Sequence, residues 1–359
     1  MKSTSPYFHN AFTFNGLEYS HDDELLSFAM KLQDEGADHE VSIGEFIEQW
    51  LSSASTITVH TSGSTGEPKL IVLEKEHMIN SAKATCAFFK LGPQTKALLC
   101  LSADYIAGKM MLVRAIVMGW DLHVVAPEAD ALTQYDNEYD FVAMVPYQVH
   151  HTFDALVKVK KLIIGGGVIS PALEAKLLTI QTESFATYGM TETCSHIAVR
   201  RLSGPAASGT YTAMQDVELS VDNRGCLLID APLITEEVIV TNDMVTLNSS
   251  HSFDWLGRFD NVINSGGLKL FPEAIEEKLA PFIKTPFVIT SEIDEALGER
   301  IVLIVEFNDT TTVPNYSEAF ASLDKFERPK RMYSISKFPY TETGKIKRTE
   351  VMQLLQKYK

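Results

Sequence analysis

The stretch that decides the fold of this chain reads Thr61-Ser62-Gly63-Ser64-Thr65-Gly66-Glu67-Pro68-Lys69, and short strand-like runs flank it on both sides. Glycines let the backbone approach a ligand closely, and the hydroxyls together with exposed N–H groups can cradle phosphate oxygens. The phosphate loop of the common NTPases is excluded, because that motif needs a lysine directly after glycine and a Ser or Thr after the lysine. Here Pro68 precedes Lys69 and Leu70 follows it. A polar hairpin loop is the alternative, but the density of hydroxyls favours a nucleotide-binding loop.

On either side of this loop, short apolar runs alternate with longer stretches of helical spacing. The predicted strands are Ile57–His60, Leu70–Leu73, Ala97–Leu101, Leu122–Val125, Phe141–Val145 and Lys161–Ile164. The predicted helices are Glu76–Phe89, Gly108–Met118 and Ala172–Ile180. Strands that alternate with helices at this interval predict parallel sheets covered by helices.

After about residue 205 the pattern changes to short alternating segments separated by polar turns. They predict a small antiparallel β unit from Val217–Val221, Gly225–Ile229 and Glu237–Thr241. A boundary is predicted near Arg258–Asp260, and the later segments indicate a small α+β domain. Its predicted elements are Pro272–Leu279, Phe287–Thr290, Ile301–Phe307 and Arg348–Gln356. The fold class is therefore α/β, with a large N-terminal domain over residues 1–258 and a small C-terminal domain over residues 259–359.

Composition excludes several classes of function. The net charge of −16 argues against nucleic-acid and anionic-membrane partners, which need a positive face. The four cysteines have no CxxC or CxH spacing, so no zinc site is predicted, and scattered thiols are typical of a reducing compartment. The N-terminus lacks the pattern of a signal peptide, and the longest apolar run, Met110–Trp120, is too short to span a membrane and is interrupted by Arg114. A cytoplasmic protein is expected.

Three further segments complete a pattern with the Thr/Ser/Gly loop. They are Tyr188-Gly189-Met190-Thr191-Glu192-Thr193; Gly257-Arg258-Phe259-Asp260-Asn261 with Gly266-Gly267-Leu268-Lys269 and Pro272-Glu273; and Gly344-Lys345-Ile346-Lys347-Arg348. In this order and at these separations they resemble the adenylate-forming superfamily of acyl-CoA synthetases, peptide-synthetase adenylation domains and luciferases. The resemblance runs from about Thr58 to the C-terminus.

Within that superfamily, two blocks resemble the o-succinylbenzoate–CoA ligases of menaquinone biosynthesis. They are Tyr188-Gly189-Met190-Thr191-Glu192-Thr193-Cys194-Ser195 and Asp260-Asn261-Val262-Ile263-Asn264-Ser265-Gly266-Gly267. The chain departs from its relatives in two places. They usually have a longer segment before the Thr/Ser/Gly loop, so a trimmed N-terminal subdomain is expected. They also tend to carry a His-x-Ser-Gly segment before a helix with an arginine, and here Tyr105 stands in place of that histidine, with Arg114 beyond it.

The resemblance implies a reaction in two halves. A carboxylate attacks the α-phosphate of ATP and pyrophosphate leaves, after which the thiol of CoA attacks the mixed anhydride and AMP leaves. The implied catalytic residues are Lys345, Thr191 and Glu192, with Lys345 reaching the α-phosphate and Glu192 holding Mg²⁺. Taken alone, Lys345 is also compatible with a surface lysine in a basic tail, and Glu192 with an acid at a helix N-terminus.

ATP is the implied nucleotide and CoA the implied acceptor. The residues implied to bind ATP or AMP are Thr61, Ser62, Ser64, Thr65, Lys69, Gly165, Gly166, Gly167, Tyr188, Gly189, Asp243 and Arg258. Among these, the three consecutive glycines would present bare backbone to adenine, Tyr188 would stack on the purine, and Asp243 with Arg258 would hold the ribose. The small domain is implied to be mobile about a hinge at Asp260. After rotation, Gly266, Gly267 and Lys269 would serve the CoA step.

For the acid pocket the candidates are Tyr105, Lys109, Ser195 and His196. An acid with a second carboxylate needs a cation or donor opposite it, and Lys109 is the candidate cation. A solvated helix lysine and a satisfied structural histidine are the alternatives for Lys109 and His196.

Two other functions stay open. One is a ligase that loads a fatty, aromatic or amino-acid carboxylate onto CoA or a carrier protein, and the other is a non-catalytic adenylate-binding sensor. The expected partners are a small carboxylate, ATP and CoA, and the sequence does not predict an oligomeric state.

Overall fold

A computed structural model describes residues 7–60, 69–134, 136–307, 315–340 and 346–357 of the chain. Its α-helices are α1 (Asp22–Glu35), α2 (Asp38–Leu51), α3 (Lys75–Phe89), α4 (Ile106–Met118), α5 (Pro146–His151), α6 (Pro171–Leu177), α7 (Pro272–Leu279), α8 (Ser317–Ala321) and α9 (Arg348–Lys357). Within the described ranges, none of these helices is long and apolar enough to cross a bilayer.

The strands before Arg258 are β1 (Thr13–Phe14), β2 (Leu17–Glu18), β3 (Thr56–His60), β4 (Leu70–Glu74), β5 (Lys96–Leu99), β6 (Asp121–Val124), β7 (Tyr139–Met144), β8 (Val159–Ile164), β9 (Glu183–Gly189), β10 (His196–Arg201), β11 (Tyr211–Ala213), β12 (Glu218–Val221), β13 (Cys226–Asp230), β14 (Ile239–Ser249) and β15 (Ser252–Arg258). The later strands are β16 (Ile263–Ser265), β17 (Leu268–Leu270), β18 (Phe287–Asp294), β19 (Gly298–Glu306) and β20 (Arg331–Ile335).

Apart from the β3–β4 hairpin, the strands up to β15 form one 13-stranded sheet in the order β12-β13-β14-β15-β11-β10-β9-β8-β7-β5-β6-β1-β2. Its centre, from β9 to β1, is parallel, and from β9 to β12 every neighbouring pair is antiparallel. The predicted parallel sheet and the predicted antiparallel strands are both present. The antiparallel strands are not a separate unit, because β11 pairs with both β10 and β15 and makes the hydrogen bonding continuous.

Helix α4 is the most deeply buried helix of the large sheet, with every residue from Met110 to Ile116 buried. It starts against the loop that follows β5, where a Cβ on Gly108 would lie 2.2 Å from the Ser102 carbonyl oxygen. Only glycine permits that close approach. The helix ends at Gly119, which takes the left-handed conformation with a φ of 70°.

Helices α1 and α2 pack against each other ahead of β3, in a region for which the sequence analysis predicted no element. They bury Phe46 and Trp50 completely. The signal was present in the sequence, because Ile43, Phe46, Ile47 and Trp50 stand at helical spacing.

The residues after Arg258 form a second sheet of five strands in the order β17-β16-β19-β18, with β20 parallel to β19. Helices α7 and α8 cover one hydrophobic cluster of this sheet and α9 covers the other. The large sheet ends at Arg258 and the small sheet begins at Ile263, so the predicted boundary at Arg258–Asp260 lies between the two. The α/β class with a large sheet-rich part and a smaller C-terminal domain is confirmed.

Candidate active site

The carboxyl ends of the parallel strands β5, β7, β8 and β9 lie along one edge of the large sheet. The chain passes from β5 to β6 on one side and then to β7 on the other, so the strand order reverses between β5 and β7. Open α/β sheets bind ligands outside the carboxyl ends of their strands at such a reversal. The loops that leave β5, β8 and β9 therefore form the expected wall of a binding site.

The loop that leaves β8 is the Gly165-Gly166-Gly167 segment. A Cβ on Gly165 would lie 2.4 Å from the Thr187 hydroxyl of β9, and Gly166 has a φ of 74°. Gly166 and Gly167 are exposed. The loop thus presents backbone without side chains at the strand ends, as the predicted contact with adenine requires.

The loop that leaves β9 contains a short 3₁₀ turn, Thr191–Thr193. The Thr193 hydroxyl accepts from the Met190 N–H at 3.0 Å and lies 2.8 Å from the Ser195 carbonyl oxygen. Cys194 follows with a φ of 58° and a ψ of −44°, and the Ser195 N–H donates to the Thr193 carbonyl across it. This is a γ-turn of the strained kind, which concentrates at functional sites.

Glu192 is the exposed member of this turn, and its carboxylate forms no ion pair with any residue that the structure describes. Within the same residues, no group of three or more His, Cys, Asp and Glu side chains could hold a metal ion. Mg²⁺ commonly takes one or two carboxylates plus substrate phosphates and waters. A single accessible carboxylate beside a nucleotide site fits that arrangement, so Glu192 fits the predicted role.

A second group gathers around Asp243 on β14. The Tyr188 hydroxyl donates to one carboxylate oxygen at 2.8 Å, and the Trp255 indole N–H donates to the other at 3.2 Å. Arg258 lies 3.8 Å from the latter oxygen. Burial raises the pKa of Tyr188, and the neighbouring Asp243 charge raises it further. The structure therefore brings Tyr188, Asp243 and Arg258 together, and it adds Trp255, which sequence reasoning missed.

The predicted hinge residue Asp260 lies in a short 3₁₀ turn between the two sheets. Its carboxylate is 3.5 Å from Arg258 and accepts from the Asn242 amide at 3.3 Å. Beyond it, Gly266 and Gly267 form the two-residue turn between β16 and β17, with φ values of 57° and 83°. Positive φ at both positions is the signature of a tight hairpin turn.

Two predicted lysines lie at the surface of the protein. Lys269 is exposed on β17. Lys69 is exposed directly before β4. Five predicted residues fall outside the described residues: Thr61, Ser62, Ser64, Thr65 and Lys345.

Lys109, the predicted cation of the acid pocket, points toward α2. Its ammonium lies over the Phe46 ring, 5.1 Å from the centroid. Burial lowers the pKa of Lys109, and the charges of Asp104 and Glu45 act in the opposite direction. Tyr105 is half-buried at the start of α4. The structure therefore does not bring Lys109 to Ser195 or His196.

The cation that lies beside Ser195 is Arg114, and not the predicted Lys109. Arg114 is only 2% exposed, and burial lowers its pKa to about 10. Its Nε donates to the Thr85 hydroxyl of α3 at 3.3 Å, and its Nη2 donates to the Ser195 hydroxyl. No carboxylate pairs with it among the described residues. A charge inside the apolar run of α4 was the signal available in the sequence.

His196 closes this group. Its Nδ1 lies 3.2 Å from the Ser195 hydroxyl and its Nε2 lies 3.5 Å from the Thr85 hydroxyl. Burial, with a smaller contribution from the Arg114 charge, lowers the pKa of His196 to about 3. The imidazole is therefore neutral at physiological pH.

Comparison with known proteins places these features in a family. Residues 20–231 match the family described as AMP-binding enzyme. The 2-succinylbenzoate–CoA ligase of Haemophilus influenzae is 27% identical over 277 residues, which cover 71% of this chain and 60% of that protein. The probable 2-succinylbenzoate–CoA ligase of Mycobacterium tuberculosis is 25% identical and covers 88% of both chains. The chain thus spans about 60% of the length of the first relative and most of the second.

Solved structures show the same fold. An acyl-CoA synthetase (AMP-forming)/AMP-acid ligase II-like protein from Dyadobacter fermentans is 34% identical, with a TM-score of 0.61 and coverage of 92% of this chain and 98% of that one. The o-succinylbenzoate coenzyme A synthetase of Bacillus subtilis, solved with ATP and magnesium, has a TM-score of 0.70 at 17% identity and covers 92% of this chain and 82% of its own.

The fold and the family match together define the class. The chain belongs to the AMP-binding enzyme family, and the predicted resemblance to adenylate-forming enzymes is confirmed. Several of the curated relatives that it matches are named 2-succinylbenzoate–CoA ligase. The acid in that name is the one that the two sequence blocks indicated.

Proposed function

We propose that this protein is an ATP-dependent ligase that converts o-succinylbenzoate to o-succinylbenzoyl-CoA through an acyl-adenylate, with release of pyrophosphate and AMP. We choose this acid because Arg114 is a buried cation with no anion beside it in the described part of the chain. The names of the relatives support the same choice.

The hydrogen bonds of Arg114 leave a receptor for a carboxylate. A guanidinium has five N–H groups, and Thr85 and Ser195 take one from Nε and one from Nη2. Both N–H groups of Nη1 and one of Nη2 have no acceptor among the described residues. Burying a charge without a partner is costly, and the planar fork matches a carboxylate with two parallel hydrogen bonds. A ligand carboxylate would supply the negative charge and the hydrogen-bond acceptors that Arg114 lacks.

o-Succinylbenzoate carries two carboxylates, of which one is activated and the other stays unchanged. The unreacting carboxylate would lie against Arg114, and the other would reach the nucleotide beside Glu192. Glu192 precedes and Ser195 follows Cys194 in one short loop, so this loop would serve both ends of the acid. An acid with a single carboxylate would leave the Arg114 donors unmatched.

In the first half-reaction, the activated carboxylate forms a bond to the α-phosphorus and the bond to pyrophosphate breaks. Asp243 would hold the ribose while the glycine loop after β8 receives adenine. Lys345 would supply a point charge at the phosphoryl oxygens. Mg²⁺, held by Glu192 and the phosphates, would neutralise the developing negative charge. In the second half-reaction, the CoA thiol attacks the acyl carbon and AMP leaves.

The small domain would rotate about Asp260 between the two half-reactions. The support is its position between the two sheets, where a few residues can absorb a large change of dihedral angles. The glycine turn at Gly266 and Gly267 would then guide the pantetheine arm.

The test is CoA-thioester formation with ATP and Mg²⁺, offering o-succinylbenzoate, benzoate and a medium-chain fatty acid in parallel. The proposal expects product from o-succinylbenzoate and far less from the others. A thioester from another acid would keep the ligase chemistry and overturn the choice of acid. Tight AMP binding without product from any acid would instead favour the non-catalytic sensor.

A further inference from the structure

The polar group around Arg114 is a closed ring of four side chains whose hydrogen bonds have fixed directions. Arginine can only donate, so the Ser195 hydroxyl accepts from Nη2. The proton of that hydroxyl is then free for one partner, and His196 Nδ1 lies 3.2 Å away. The Thr85 hydroxyl gives its own proton to the Ser81 carbonyl, so its contact with His196 needs the single proton of the neutral imidazole on Nε2, and Nδ1 then accepts from Ser195.

The other half of the ring follows in the same way. His196 Nε2 donates across the longer 3.5 Å contact to the Thr85 hydroxyl, which also accepts from Arg114 Nε at 3.3 Å. Thr85 donates its own proton to the Ser81 carbonyl at 3.0 Å. Each proton of the ring therefore has one acceptor, and the Arg114 fork is held at two of its three nitrogens.

Burial makes this ring rigid. Thr85 is 1% exposed and His196 is 7% exposed, so water does not compete for their hydrogen bonds. The three elements that contribute, α3, α4 and the start of β10, belong to one hydrophobic core. The remaining Nη1 donors of Arg114 are consequently held in one orientation, which lowers the cost of ordering them when a carboxylate binds.

We infer that His196 and Thr85 are positioning residues that aim the free side of the Arg114 fork at the unreacting carboxylate of the acid, and so set the preference for a dicarboxylate. Neither residue touches the reacting atoms. The inference rests on the proposed function, and it assigns His196 a role other than that of a satisfied core histidine.

The experiment compares two acids that differ by one group: o-succinylbenzoate and benzoylpropionate, which lacks the ring carboxylate, the one that we propose stays unreacted against Arg114. The KM for the first and the inhibition constant of the second are measured in His196→Leu and His196→Asn. The leucine removes the acceptor for Ser195, whereas the asparagine can replace it. We expect His196→Leu to raise the KM for o-succinylbenzoate about tenfold, since one buried hydrogen bond is lost. The inhibition constant of benzoylpropionate and kcat should stay within about twofold, and His196→Asn should restore most of the KM.

A second pair keeps the inference testable if the leucine variant does not fold. Thr85→Val removes the acceptor for Arg114 Nε at nearly constant volume, and Thr85→Ser keeps it. The valine variant should show the same selective rise in KM and the serine variant should not. Equal weakening of both acids in the folded variants would overturn the inference while leaving the proposed function intact. A wild type that forms no thioester from o-succinylbenzoate would overturn both.

Discussion

Lys75 and Arg114 are both buried cations, and they differ in what meets their N–H groups. Lys75 is fully buried at the start of α3, and its ammonium donates to the Ser52 carbonyl at 2.8 Å, where α2 ends. It also lies 5.1 Å from the centre of the Tyr7 ring and 5.9 Å from that of Trp50. A helix C-terminus and aromatic faces both attract a cation. Fixed groups of the protein therefore surround Lys75.

Arg114 has hydroxyl partners on one side only, and three of its N–H groups meet no acceptor within the described ranges. Burial lowers the pKa of both side chains, so burial alone does not separate them. The two side chains differ in how many of their N–H groups have an acceptor. The N–H groups of Lys75 are met by the fold itself, whereas Arg114 keeps donors that a ligand carboxylate can meet.

The largest expected effect is that of Arg114→Met. The variant removes the fork that we propose receives the second carboxylate, and truncating one member of a buried charged pair costs about 2–5 kcal/mol. We expect kcat/KM for o-succinylbenzoate to fall by about a hundredfold or more. The free energy of unfolding of the free protein should not fall, because an uncompensated buried charge is also removed. Steady-state kinetics and urea unfolding measure the two quantities.

Lys109→Met is the matched control, since it removes a cation from the same helix without touching the ring. Its kcat/KM for o-succinylbenzoate should stay within about twofold of the wild type, as expected for a cation outside the site. A loss as large as that of Arg114→Met would assign the carboxylate to Lys109 and contradict the role of Arg114.

Lys75→Met should have the opposite effects to Arg114→Met: lower stability and unchanged kinetics. It leaves the Ser52 carbonyl without its donor and removes the contact with two aromatic rings, so we expect the free energy of unfolding to fall by about 2 kcal/mol. Because Lys75 is fully enclosed by protein groups, KM for either acid should not change. Urea unfolding together with KM checks this; unaltered stability with a changed KM would mean that Lys75 also faces a ligand.

The last expected effect concerns stability in acid and not activity. The pKa of His196 is lowered to about 3 by burial and by the facing Arg114 charge, so the unfolded chain binds a proton below about pH 6.5 that the folded chain does not. Stability is therefore lost as the pH falls. His196→Asn should remove up to about 1.4 kcal/mol of that loss for each pH unit between about pH 6 and pH 4. Unfolding free energies at several pH values test it, and parallel curves for both proteins would show that His196 titrates normally.

Much of the fold followed from local pattern, because strand-like runs and helical spacing report which face of an element is buried. Strands β3 to β8 and helices α3, α4, α6, α7 and α9 were all expected within a few residues of their observed bounds. We did not expect the antiparallel strands to join the large sheet. This joining depends on the pairing of β11 with both β10 and β15, which local pattern does not show.

Three of the residues predicted for the nucleotide site lie together in the structure, whereas Lys109, predicted for the acid pocket, lies apart from Ser195 and His196. Tyr188, Asp243 and Arg258 were named from motifs, and the structure brings them together. In α4 the cation was assigned to Lys109, but Arg114 lies five residues later, about 140° around the helix. Choosing between these two faces needs the packing of α4 against α2 and α3, which one sequence does not contain.

The most direct measurement of the central claim is the ratio of kcat/KM for o-succinylbenzoate to that for benzoylpropionate, in the wild type and in Arg114→Met. The account predicts a ratio of about a hundred or more in the wild type, from the paired carboxylate, and a ratio near one in the variant. A wild-type ratio near one, or the same high ratio in both proteins, would contradict the assignment of Arg114 to the second carboxylate.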